Sequence, residues 1–175
     1  VFFGILTFAF ADYPKLEKCK PPEAMKGLRA SRLLSGTWYV TNAKHGSNRT
    51  VCREYKGNRE NGIRQLIADG YYSVGENQAA YFNVLCHKQS DRNYKLTFNC
   101  TQRGSITDDQ KVIIQFQLEV TVLLTDYDDF AILYICGKIP SSSGPRFEDN
   151  VLVLHRKDCK TEDKNPQIEE TLKKQ

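Results

Sequence analysis

Between Val112 and Leu124 the chain alternates almost without fault. Val112, Ile114, Phe116, Leu118, Val120, Val122 and Leu124 fall on one face, and Ile113, Gln115, Gln117, Glu119, Thr121 and Leu123 on the other. A period of two over that length excludes a helix and demands a long strand with one buried and one wet face. Tyr94, Leu96, Phe98 and Cys100 repeat the pattern, with Lys95, Thr97, Asn99 and Thr101 opposite.

Turn-forming clusters punctuate the rest. They lie at His45 to Asn48, Lys56 to Gly62, Gly75 to Asn77, Ser90 to Asn93, Gly104 to Gln110, Asp126 to Asp129 and Lys138 to Glu148. Cutting there gives eight expected strands, at 36–44, 50–57, 63–74, 78–87, 93–102, 111–124, 129–136 and 149–156. Short connections make neighbours pair as antiparallel hairpins. Eight such strands close most simply into an all-β barrel, which leaves no exposed edge. Phe130 to Ile135 and Val151 to Leu154 are apolar on both faces, so something must cover the barrel there. The tail offers a short C-terminal helix, with Asn165 as its cap, Pro166 in its first position and Ile168 and Leu172 four apart.

The chain's 175 residues, 40% hydrophobic and 26% charged, suit a single globular domain. No run approaches the roughly 20 apolar residues of a membrane-spanning helix. The uncharged stretch Val1 to Ala11 ends in Ala9-Phe10-Ala11 and is followed at once by Asp12. It reads as the apolar part of a secretory leader, with one domain over 12–175. In an oxidising compartment Cys19, Cys52, Cys86, Cys100, Cys136 and Cys159 are expected to form three disulfides, in any of 15 pairings. Asn48-Arg49-Thr50 and Asn99-Cys100-Thr101 are glycosylation sequons, expected to carry sugar at Asn48 and Asn99.

Three separated signals then coincide. Gly36-Thr37-Trp38 opens the first strand, Thr125-Asp126-Tyr127 sits in the turn after the sixth, and Arg156 ends the eighth. In that order and on those elements they resemble the signature of the lipocalins, secreted eight-stranded barrels that hold small molecules. Up-and-down connectivity brings all three to one barrel end. Trp38 is expected to plug that end, Arg156 to lie over its ring, Asp126 to tie the turn and Gly36 to open the strand: closure, not catalysis.

Trp38-Tyr39-Val40-Thr41, Cys52-Arg53-Glu54-Tyr55 and Thr125 to Ala131 leading to Cys136 narrow the resemblance. They are similar to the salivary lipocalins of blood-feeding triatomine bugs, within them the triabin, pallidipin and procalin branch. That resemblance implies the pairings Cys19–Cys136, Cys52–Cys159 and Cys86–Cys100. The related nitrophorins hold haem through a third-strand histidine, where this chain has Gly70. Of its three histidines, His45 and His87 are read as lying in or beside turns, and His155 neighbours Arg156. No haem or other cofactor, and no metal, is expected.

No nucleophile elbow, phosphate loop or triad is present, and Asp126, Asp128 and Asp129 read as turn residues, so a non-enzymatic role is expected. Residues 12–64 hold 12 Lys/Arg against 5 Asp/Glu, which favours anionic partners. Strand content and the lack of aromatic–basic clusters argue against nucleic acid, and a monomer is expected. The barrel mouth, opposite Trp38, is expected to be lined by Val40, Phe98, Ile114, Phe116 and Tyr134, with Tyr134 supplying a hydroxyl and no inward acidic residue. That lining suits a small hydrophobic or anionic-amphipathic lipid mediator, and the resemblance implies that its removal blunts host platelet activation and that the protein is an allergen. The rival expectation is a scaffold whose loops or outer wall bind a host haemostatic protein. An open apolar cavity favours the first, a side-chain-filled barrel the second.

Overall fold

The computed structural model describes residues 16–45, 51–75, 78–92 and 94–175. The expected leader at 1–11 and the sequon asparagine Asn48 lie outside these residues. The described strands are β1 (Gly36–Ala43), β2 (Glu54–Glu60), β3 (Ile63–Ile67), β4 (Gly70–Gly75), β5 (Gln78–Arg92), β6 (Lys95–Thr107), β7 (Gln110–Thr125), β8 (Phe130–Ile139) and β9 (Arg146–His155). All pair antiparallel in the order β3-β2-β1-β9-β8-β7-β6-β5-β4, and β3 also pairs with β5, which closes the sheet.

β3 and β4 are two halves of the single strand expected at 63–74. Ile67 stands opposite Leu85 and Gly70 opposite Phe82, so the register against β5 runs on unbroken. Between them the Ala68 amide still donates to the Val84 carbonyl (2.9 Å), while the Asp69 carboxylate accepts from the Val84 amide (2.8 Å) and from Asn83 (3.0 Å). A side-chain oxygen takes the place of a ladder carbonyl there, so the barrel is eight-stranded with one strand interrupted.

The hairpin β6–β7 runs past the turn expected at Gly104 to Gln110. Gly104 is a strand residue opposite Phe82. A Cβ at Gly104 would meet the Phe82 ring at 2.4 Å, so glycine here makes room for that buried ring.

Two cores result. Inside the barrel, Trp38, Val40, Phe82, Leu96, Phe98, Phe116, Val120, Leu133 and Leu154 pack together. Outside, Leu123, Phe130, Ile132, Tyr134, Val151 and Val153 form a second cluster, which Ile168 of helix α2 (Pro166–Leu172) covers. The Asn165 side chain accepts from the Gln167 amide at 3.0 Å, and Pro166 takes the first turn, as the sequence suggests. This is why β8 and β9 are apolar on both faces. A four-residue helix, α1 (Ala30–Leu33), has no counterpart in the expected elements. The disulfides are Cys19–Cys136, Cys52–Cys159 and Cys86–Cys100, the pairings the resemblance implies.

Candidate functional site

One end of the barrel is sealed by side chains from distant parts of the chain. The Trp38 ring is buried and its indole N–H donates to the Leu33 carbonyl (2.8 Å), which anchors α1 as a plug. The Arg156 guanidinium lies 3.5 Å from the Trp38 ring centroid. It also donates to the carbonyls of Ser35 (2.6 Å), Thr37 (3.0 Å), Tyr127 (3.1 Å) and Arg32 (3.2 Å). Gly36 has a φ of +68°, and a Cβ there would stand 3.3 Å from the guanidinium. The Asp126 carboxylate accepts from the amides of Asp128 (3.1 Å), Asp129 (2.9 Å) and Phe130 (3.0 Å), which fixes the β7–β8 turn. Asp128 then pairs with Arg32 of α1 at 2.8 Å.

A narrow cavity runs from Trp38 at this end to Glu148 near the other, with a volume of about 70 Å³. Phe98, Phe116, Leu118, Leu133 and the inward Cys86 form much of its wall. Pockets for drug-sized ligands hold roughly 300–1,000 Å³. Most of this barrel is therefore filled by its own side chains.

Of the expected mouth residues, Phe98 and Phe116 line the cavity. Val40 points inward but is fully buried in the interior core, and Ile114 packs against the same core half-buried. Neither lines the cavity. Tyr134 does not face inward at all. It belongs to the outer cluster, where its hydroxyl donates to Asp149 (2.8 Å) and accepts from the Lys20 amide (3.1 Å). Inward positions on β8 are Ala131, Leu133, Ile135 and Gly137 instead.

The expectation of no inward acid is likewise corrected. Glu148 is 4% exposed and lines the cavity. It pairs with the Arg146 guanidinium, and its Oε2 has no hydrogen-bond partner among the described residues. Burial pushes its carboxyl up to about 7. The sequence carried a usable signal, because Glu148 is in phase with Asn150, Leu152 and Leu154. Arg53 is a second buried ion in the wall, stacked on the Tyr72 ring at 4.8 Å. Gly70, the position of the nitrophorin histidine, packs against the Arg53 side chain. His87 stands within β5, not beside a turn, with its Nε2 3.3 Å from Gln65. His155 is buried at the end of β9, 3.0 Å from Thr41 and 3.1 Å from Asp163.

The outer wall of β4, β5 and β7 is the other unusual surface. Tyr71 (56% exposed), Tyr81 (50%) and Ile113 (67%) stand out on it, with Leu85 beside them. The two tyrosine rings meet edge to face at 5.4 Å. Arg103, opposite Ile113 on β6, is exposed between them. Asn99 is exposed further along the same strand.

A family model described as triabin matches residues 10–171. Triafestin-2 of Triatoma infestans is 47% identical over 98% of this chain and 82% of its own length. Procalin of Hospesneotomae protracta is 28% identical over 92% of this chain and 85% of its own. Among solved structures, LTBP1 in complex with LTC4 superposes with a TM-score of 0.61 and 22% identity, covering 87% of this chain and 83% of that one. At that identity the likeness speaks for the lipocalin barrel alone.

Proposed function

The chain belongs to the triabin family, and from that premise we propose that it is a secreted salivary protein that impairs host haemostasis by binding a host protein on its outer wall, with the filled barrel as a scaffold. The volume of the interior carries this reading. About 70 Å³ spread between Trp38 and Glu148 is a slit, too small for a long lipid mediator without repacking. Exposed Tyr71, Tyr81 and Ile113 supply the apolar, aromatic surface typical of a protein-binding patch. Secretion is supported by three disulfides that use all six cysteines. Allergenicity to the host is compatible with this role, as is sugar at Asn99 on the exposed wall. No catalytic chemistry is part of it.

The test is inhibition of clotting in cell-free plasma and of aggregation of washed platelets. The wild-type protein is expected to inhibit at least one, and Tyr81→Ser with Ile113→Asp to abolish that inhibition without lowering stability. Full inhibition by the double variant overturns the reading.

A second reading keeps the barrel as a sink for a small host mediator with an apolar body. The observation favouring it is that most of the side chains walling the cavity are apolar.

A further inference from the structure

We propose that Arg103 is the specificity-determining residue of the outer wall, and that the host protein bound there presents an Asp or Glu carboxylate, set among apolar side chains, to its guanidinium. This rests on the reading above that the outer wall is the binding surface, and it names the chemistry of the partner.

The register of the sheet puts Arg103 at the centre of the exposed apolar patch. It stands directly opposite Asn83 on β5 and Ile113 on β7. Tyr81 and Leu85, two residues to either side of Asn83, are its diagonal neighbours on the same face, at the roughly 7–8 Å of such pairs. Gln102 before it is buried inward, and Arg103 projects to solvent. Its guanidinium makes no hydrogen bond or ion pair with the described residues.

Carboxylates near this wall are committed elsewhere or lie beyond it. Asp69 accepts from the Asn83 side chain (3.0 Å) and the Val84 amide (2.8 Å). Asp108 and Asp109 are exposed past Thr107, in the β6–β7 turn. Lys111, exposed on β7 opposite Ser105, adds a second positive charge at the edge of the patch. The wall is thus apolar with a positive centre.

A protein that covers Tyr81 and Ile113 also covers the guanidinium between them. Taking that charge out of water without an acceptor is strongly unfavourable. A carboxylate satisfies it through two parallel, charge-assisted hydrogen bonds, and a basic surface is repelled. Tyrosine and arginine are also the side chains on which interface energy concentrates. The apolar residues around the charge favour a protein surface, which offers a carboxylate and apolar contacts together, over a free polyanion.

The experiment measures the concentration of full chain that half-inhibits clotting of cell-free plasma or aggregation of washed platelets. The proteins are the wild type, Arg103→Gln, Arg103→Glu, the Tyr81→Ser, Ile113→Asp variant and Lys26→Glu. Lys26 is an exposed cation in the segment that bonds β7 at Val122, toward the other end of that strand. Arg103→Gln should weaken inhibition about tenfold or more, and Arg103→Glu at least roughly tenfold further, because it sets like charges face to face. Lys26→Glu, with the same change in net charge, should keep it. Inhibition kept in both Arg103 variants and lost in the Tyr81→Ser, Ile113→Asp variant overturns the role of Arg103 and leaves the wall reading standing. Equal loss in Arg103→Gln and Arg103→Glu overturns the acidic partner, since a neutral acceptor does not distinguish a missing donor from a reversed charge. Wild-type protein that sediments with phosphatidylserine vesicles, or dimerises in sedimentation velocity, and does so only with Arg103 present reassigns the wall to a lipid surface or a second copy and also overturns it. No inhibition by the wild type overturns both.

Discussion

Arg156, at the end of β9, stacks its guanidinium 3.5 Å from the ring centroid of Trp38, at the start of β1. The two residues are neighbours because β1 and β9 pair, with Tyr39 opposite His155. One side chain thus joins the barrel's first and last strands, the α1 plug and the β7–β8 turn.

Arg156→Ala should lower stability by about 1–3 kcal/mol, through lost stacking and the loss of the guanidinium's hydrogen bonds to four carbonyls. Arg156→Lys should recover little, since an ammonium lacks the planar fork that reaches several acceptors at once. Denaturant midpoints measure both. An unchanged midpoint for Arg156→Ala removes the closure role.

The bridges should differ in worth. Cys86–Cys100 joins directly opposed residues of one hairpin with a sequence separation of 14, whereas Cys52–Cys159 spans 107. Loop-closure entropy gives roughly 3 kcal/mol for a 15-residue loop and about 4.7 kcal/mol for 100 residues. Replacing Cys52 and Cys159 by serine should therefore cost more than replacing Cys86 and Cys100 by alanine, in matched urea titrations. The reverse order contradicts the loop argument.

Glu148 should impose a pH dependence on stability. Its folded carboxyl titrates near 7, against an ordinary value of 4.5. Between those values the folded state holds a proton that the unfolded chain has released. Stability from this group is thus highest below about 4.5, falls as pH rises toward 7, and is level above. Glu148→Gln removes that slope. The stability difference between wild type and variant should move by on the order of 2–3 kcal/mol between pH 4.5 and 8, with the variant gaining. Parallel curves would show that the carboxyl is not held in a costly place.

How far the sequence reveals all this depends on whether alternation carries phase. In β7, Gln115, Gln117 and Glu119 mark the wet face, so Phe116 is assigned inward correctly. In β8, Phe130 to Ile135 is apolar on both faces, and nothing local tells Leu133 from Tyr134. The outer cluster under Ile168 decides it, and that contact is tertiary. Glu148 escapes notice because the expected turn cluster runs through it and starts the expected strand at 149, whereas β9 begins three residues earlier, at Arg146. Asp69 hides the break between β3 and β4, since its role as a ladder acceptor is visible only against Val84. The closure set is legible because its residues come from element ends whose positions the barrel topology fixes.

On the reading proposed above, haemostatic inhibition belongs to the outer wall and not to the barrel interior. The most direct measurement is haemostatic inhibition by two variants side by side: Leu118→Phe, which thickens the cavity wall, and Tyr81→Ser with Ile113→Asp, which strips the outer patch. Inhibition should be lost in the Tyr81→Ser, Ile113→Asp variant and kept in Leu118→Phe. Inhibition lost in Leu118→Phe and kept in the wall variant, with both folded by circular dichroism, would contradict it.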